Sequence, residues 1–101
     1  MHSLLILYEP QPDPEKFIAY YEATHLPLVR KIPGLERFTY AFELTAMAGR
    51  PPYFCRFEAD FASADVLEKA LRSPEGLAAA TDVPNFAQGE PVILTFEKKA
   101  G

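Results

Sequence analysis

The sequence predicts an α+β fold in the order β-α-β-β-α-β, a four-stranded antiparallel sheet with its helices on one face. Three observations carry this prediction. Two stretches, Leu35 to Leu44 and Tyr53 to Phe61, alternate unlike side chains with the period of a strand. Two short apolar runs, Ser3 to Tyr8 and Pro91 to Phe96, lie near the ends of the chain. Between these strands sit two segments that open with helix-start signals and continue with apolar residues at helical spacing.

The first strand, Ser3 to Tyr8, reads as buried on both faces and is stopped by Glu9-Pro10-Gln11-Pro12. Asp13-Pro14-Glu15 then supplies an N-cap, a proline at the first helical position and an acid in the first turn. Phe17, Tyr20, Tyr21, His25 and Leu28 follow as one stripe. Pro27 brings no backbone donor and disfavours helix at Leu26, so a break or kink is expected between Thr24 and Leu26. A further turn over Leu28 to Ile32 ends at Pro33-Gly34.

In the second strand Phe38, Tyr40, Phe42 and Leu44 oppose Arg37, Thr39, Ala41 and Glu43. After the Thr45 to Pro52 loop, Tyr53, Cys55, Phe57, Ala59 and Phe61 mark one face of the third strand, and the short loop makes the pair an antiparallel hairpin. Ser63 caps a second helix that carries Val66, Leu67, Ala70 and Leu71 inward. Ser73-Pro74-Glu75 starts a brief extra helix reaching about Ala80, Asp82 to Ala87 reads as a loop, and Pro91 to Phe96 is the last strand. This is the split βαβ, ferredoxin-like pattern, with residues 1–101 forming one domain. Helices on one face leave the other face of the sheet uncovered, and two copies packed sheet to sheet as a homodimer would cover it.

Composition narrows the function. At 49% hydrophobic and 24% charged residues, the chain has the balance of a folded globular domain, not a disordered one. With a net charge of −4 and Lys and Arg scattered, it offers no stripe to neutralise phosphates, so nucleic acid is not an expected partner. A single cysteine allows no internal disulfide, and no apolar run approaches the length of a membrane span. A cytoplasmic location without membrane contact is the expectation. The five glycines stand singly, which gives no phosphate-cradling loop or dinucleotide fingerprint. Glu22 and His25 have the Glu-x-x-His spacing of carboxylate metal sites, but the only other histidine is His2. No metal and no cofactor are therefore expected.

His25 is the first candidate for chemistry. It shares a helical stripe with Tyr21, Phe17 and Leu28 and so points toward the sheet. An inward imidazole can exchange a proton with a bound carbonyl or phenol, or it can simply hydrogen-bond a nearby carbonyl and plug the helix end. Of the pair Tyr20-Tyr21 only one can face fully inward, and the period favours Tyr21, as an oxyanion donor or as core. Tyr40 and Phe57 read as pocket walls or plain core. Asn85 reads as a ligand partner or a turn former, and Phe86 as a cover over one end of the core or a lid.

The stretch Tyr20-Tyr21-Glu22-Ala23-Thr24-His25-Leu26-Pro27-Leu28, continued by Lys31-Ile32-Pro33-Gly34-Leu35, resembles the signature region of the EthD family: a tyrosine pair, His-x-Pro-Leu, a lysine and Pro-Gly-Leu. Ser73-Pro74-Glu75-Gly76 and Asn85-Phe86-Ala87 resemble further stretches of that family, so the likeness spans nearly the whole chain. It implies a dimeric α/β barrel in which each subunit holds a small pocket between sheet and helices. Proteins of this build include cofactor-independent monooxygenases, lactone isomerases and polyketide cyclases or dehydratases. The expected partner is thus a small hydrophobic metabolite, and the expected function is cofactor-independent chemistry on an apolar or aromatic carbonyl compound, with His25 as proton shuttle. The alternative is a non-catalytic metabolite-binding protein, or an accessory to an oxidoreductase system.

Overall fold

The computed structural model describes all 101 residues. Its elements are strand β1 (His2–Tyr8), helix α1 (Pro14–Tyr20), a π-helical turn (Tyr21–His25), helix α2 (Leu26–Val29), strands β2 (Leu35–Phe42) and β3 (Cys55–Phe61), helices α3 (Ala64–Arg72) and α4 (Pro74–Asp82), a 3-10 turn (Val83–Asn85) and strand β4 (Val92–Glu97). The four strands form one antiparallel sheet in the order β2-β3-β1-β4. This is the α+β, ferredoxin-like arrangement expected from the sequence, with β1 and β3 at the centre.

Strand alternation sorts the side chains onto two unlike faces. Leu4, Ile6 and Tyr8 of β1 share the helix-side face with Cys55, Phe57, Ala59 and Phe61 of β3, as the pairing of Ile6 with Phe57 requires. Phe38, Tyr40 and Phe42 of β2 extend that face through their pairing with Ala59, Phe57 and Cys55. Leu4, Tyr8 and the four β3 residues are buried there beneath Phe17, Tyr21, Leu26, Val29 and Leu67 from the helices.

The opposite face carries two bands. Asp60 accepts hydrogen bonds from Ser3 Oγ at 2.6 Å and Arg37 Nε at 2.7 Å, and Lys98 bridges it to Glu58. These partners hold the Asp60 carboxyl down at about 2, against the opposing effect of its burial. Beside this ionic band, Leu5, Leu7, Val92, Leu94 and Phe96 form an apolar one over β1 and β4. The sequence reading made β1 buried on both faces; in the chain alone Leu5 and Leu7 are only half-buried, because no element of this chain covers their side of the sheet.

Strand ends shift by one or two residues, β2 closing at Phe42 and β3 opening at Cys55, and two helical boundaries differ more. Pro27 does not break the first helical segment. The turn before it widens instead, with the Leu26 N–H donating to the Tyr21 carbonyl five residues back, and α2 continues from there. One extra residue in that turn absorbs a proline that has no N–H for the usual ladder and would clash with the carbonyl four residues earlier. At the other end, α4 runs to Asp82 and passes directly into a 3-10 turn, where a loop was expected from Asp82 onward.

The Ser73-Pro74-Glu75-Gly76 stretch joins α3 to α4. Ser73 Oγ accepts from the Gly76 N–H at 3.0 Å and donates to the Ala70 carbonyl at 2.6 Å, so one hydroxyl closes α3 and caps α4. A β-carbon at Gly76 would collide with the Ala70 carbonyl oxygen, which is backbone and cannot swing aside. Gly76→Ala should therefore cost about 1–3 kcal/mol, read as a lower urea midpoint. An unchanged midpoint would mean that α3 and α4 do not approach this closely.

Candidate functional site

The widened turn sets the direction of the first candidate side chain. Tyr21 opens it and His25 closes it, and both are buried against the sheet with ring centroids 5.2 Å apart. His25 is 4% exposed. Its far side rests on Phe86, whose ring lies 4.6 Å away.

The ring is fixed by an acid that the sequence reading assigned to a loop. His25 Nδ1 lies 3.0 Å from Asp82 Oδ2. The other oxygen of Asp82 accepts from the Tyr20 hydroxyl at 2.6 Å and from Asn85 Nδ2 at 3.1 Å. Burial alone would raise the Asp82 pKa, but these three donors outweigh it and hold the carboxyl below its ordinary value. An ionised carboxylate only accepts, so the Nδ1–H of His25 donates to it and Nε2 keeps its lone pair. Burial in turn pushes the His25 pKa below its usual 6.5, against the pull of Asp82, so the imidazole is neutral at pH 7. The result is a neutral histidine locked in one tautomer, with its basic nitrogen free.

His25 lines a cavity of about 480 Å³ between sheet and helices. β1, β3 and β4 form its floor through Leu4, Ile6, Phe57 and Ile93, while Val29, Ala79 and Val83 come from the helical side. The lining is mostly apolar; Tyr8, Tyr21, His25 and Glu90 are the residues in it that carry polar or ionisable groups. A cavity of this size and character suits a small organic ligand. Burial raises the pKa of both phenols far above the usual tyrosine value, so they remain protonated hydrogen-bond donors.

The residues singled out from sequence separate into two groups. His25, Tyr21 and Phe57 line the cavity together. Tyr40, Asn85 and Phe86 do not. Tyr40 packs against Tyr21 and donates its hydroxyl to Glu22 at 2.9 Å on the surface. Asn85 holds Asp82 from outside, and Phe86 backs His25, stacks on Tyr20 and lines a separate shallow groove. Glu22 is thereby turned away from His25, and no three His, Cys, Asp or Glu side chains gather as a metal site. Cys55 is fully buried, and burial pushes its thiol up to about 12.

Sequence reasoning missed Asp82, Tyr8 and the supporting role of Tyr20. A signal for Asp82 was present, since it lies three residues beyond Ala79 and three before Asn85, an acid continuing the inward stripe of an Ala-rich helix. Tyr8 continues the alternation of Leu4 and Ile6, which gives it the inward face but no chemical role.

The EthD domain profile matches residues 9–90, the span that contains Tyr8's neighbours, the widened turn and Asp82. The chain belongs to the EthD family. It is similar to an uncharacterized 11.0 kDa protein from Rhodococcus erythropolis, encoded in the thcB-thcC intergenic region, at 37% identity over 98% of this chain and 96% of the relative. Among solved structures it is similar to an ethyl tert-butyl ether D (EthD) family protein from Bacillus halodurans, with a TM-score of 0.91 and 30% identity, covering 98% of this chain and 99% of that one. SnoaB, a cofactor-independent oxygenase from Streptomyces nogalater, shares the fold at a TM-score of 0.70 and 17% identity, over 99% of this chain and 94% of its own. No helix of this EthD-family chain is long and apolar enough to cross a membrane.

Proposed function

We propose that this EthD-family chain is a cofactor-independent enzyme that moves a proton on a small apolar or aromatic carbonyl compound held between sheet and helices. The observation that carries the proposal is the contact of His25 with Asp82 at 3.0 Å, with His25 lining the apolar cavity. In this reading Nε2 of His25 removes a proton from the carbon next to the carbonyl. The electron pair moves onto the carbonyl oxygen, and the Tyr21 hydroxyl steadies the resulting enolate. Nε2–H then returns the proton to another carbon, which isomerises the substrate, or to a leaving hydroxyl, which releases water. Asp82 stays ionised throughout and supports the transient imidazolium, as the acid of a triad does. That SnoaB works as a cofactor-independent oxygenase on the same fold is consistent with an architecture that uses the substrate's own carbanion.

The test is deuterium uptake in D2O by neutral cyclic ketones and lactones, followed by proton NMR. Exchange above the level of His25→Gln is expected for at least one of them. Equal exchange by wild type and variant across the panel would contradict the proposal.

The apolar band of the open sheet face supports a second reading about assembly: two copies pair through it as a homodimer. Leu94 is 49% exposed there, with Leu5, Leu7, Val92 and Phe96 beside it. Sedimentation equilibrium at micromolar concentration should give a species near twice the chain mass of 11.3 kDa, and Leu94→Lys should halve it. A wild-type monomer would contradict the pairing.

A further inference from the structure

The hydroxyl of Tyr8 is fully buried and makes no hydrogen bond of ordinary geometry, although the phenol of Tyr21 lies close enough to act on it electrostatically. Tyr8 itself is 1% exposed, at the inner end of β1, and it lines the same cavity as His25. Its ring is fixed on three sides, by Phe17 at 5.4 Å, Tyr21 at 6.0 Å and Phe86 at 5.9 Å, so the phenol has little freedom to seek a partner elsewhere. The backbone of Tyr8 is already engaged, its carbonyl accepting from the Phe54 N–H at 2.7 Å, and a phenylalanine would fill the same space. A buried hydroxyl without a partner opposes folding, so its presence points to a group that arrives later.

The lining says what kind of group that is. No Lys or Arg borders the cavity, its one carboxylate is Glu90, and the carboxylate of Asp82 stands directly behind His25. A carboxylate or phosphate on the ligand would be buried without a counter-cation, next to an existing negative charge. A neutral acceptor oxygen meets none of these penalties.

We propose that Tyr8 is a second phenol donor of this site, binding an acceptor oxygen of the substrate, and that the substrate is an uncharged, largely apolar carbonyl compound. The proposal rests on the cavity being the reaction site, as argued above, and adds to it a residue and a charge rule. In this proposal Tyr8 and Tyr21, whose rings lie 6.0 Å apart, share the carbonyl oxygen of the ligand.

Three probes of similar shape test this by calorimetry: 2-tetralone, its parent hydrocarbon tetralin, and 2-naphthoate. Wild type should bind the ketone about tenfold more tightly than the hydrocarbon, and the carboxylate not measurably. Tyr8→Phe should keep the affinity for tetralin, lose the preference for the ketone, and melt at or above the wild-type temperature. A ketone preference that survives in Tyr8→Phe, or a lower melting temperature for that variant, would overturn the role of Tyr8 while leaving the His25 reading intact. Naphthoate bound as tightly as the ketone would overturn the charge rule. If neither tetralone nor tetralin binds, the cavity is not a ligand site, and both this proposal and the one beneath it fall.

Discussion

His25→Gln should lower proton exchange on a bound ketone by about 10²–10⁴-fold, with the fold and ligand binding retained. Glutamine is close to the imidazole in reach and can still donate an amide N–H to Asp82, but it offers no basic nitrogen to the cavity. Asp82→Asn should lower exchange too, by a different route. An amide can donate to Nδ1 of His25, which forces the ring proton onto Nε2 and removes the base from the cavity side. The two variants are separable by pH. In wild type, activity should rise with pH through an inflection below 6.5, because burial depresses the His25 pKa and only the neutral ring is a base. Asp82 pulls that pKa upward, so in Asp82→Asn the residual activity should show its inflection at still lower pH. A pH profile that is flat from pH 4 to 8 in wild type would remove His25 from the reaction.

The largest loss of stability is expected at Phe17. Its ring meets Tyr8 at 5.4 Å, Tyr21 at 5.5 Å, Phe54 at 5.4 Å and Phe86 at 5.2 Å. These neighbours come from β1, the widened turn, the approach to β3 and the segment after α4, so one side chain ties every layer of the core together. Phe17→Ala should cost about 3–5 kcal/mol, since rings held edge to face by several partners cannot collapse into the space it leaves. For a domain whose total stability is of order 5–15 kcal/mol, that is a large share, and the melting temperature should fall by tens of degrees. Urea denaturation checks it. A cost below about 1 kcal/mol would mean that the aromatic cluster is loosely packed.

The fold was largely legible because its signals are local. The alternation from Phe38 to Phe42 and from Cys55 to Phe61 appears as paired register, and the caps at Asp13, Ser63 and Ser73 each accept the expected backbone N–H. The widened turn was misread because Pro27 forbids the α-helical ladder without saying which escape the backbone takes; burying both Tyr21 and His25 favours inserting a residue over breaking the helix.

The site was legible only in part. The helical stripe put His25 and Tyr21 on the inward side, since that depends on one element alone. Asp82 meets His25 across 57 positions of sequence, through the packing of α4 against the first helical segment, and its helical spacing from Ala79 points it inward without naming its partner. The same distance problem hid Tyr8, whose hydroxyl is buried without a hydrogen bond of ordinary geometry once Phe17, Tyr21 and Phe86 close around it. Tyr40 shows the reverse. Its strand period placed it correctly on the helix side, but Glu22 draws its hydroxyl to the surface.

The central claim is that His25 presents a bare ring nitrogen to a space that accepts a guest. Nitrogen-15 NMR of the imidazole during titration with 2-tetralone tests it most directly. The account predicts a protonated Nδ1 and an unprotonated Nε2 at pH 7, with the Nε2 resonance shifting as ketone is added. A proton on Nε2 in the free protein, or an Nε2 signal that does not move with saturating ketone, would contradict it.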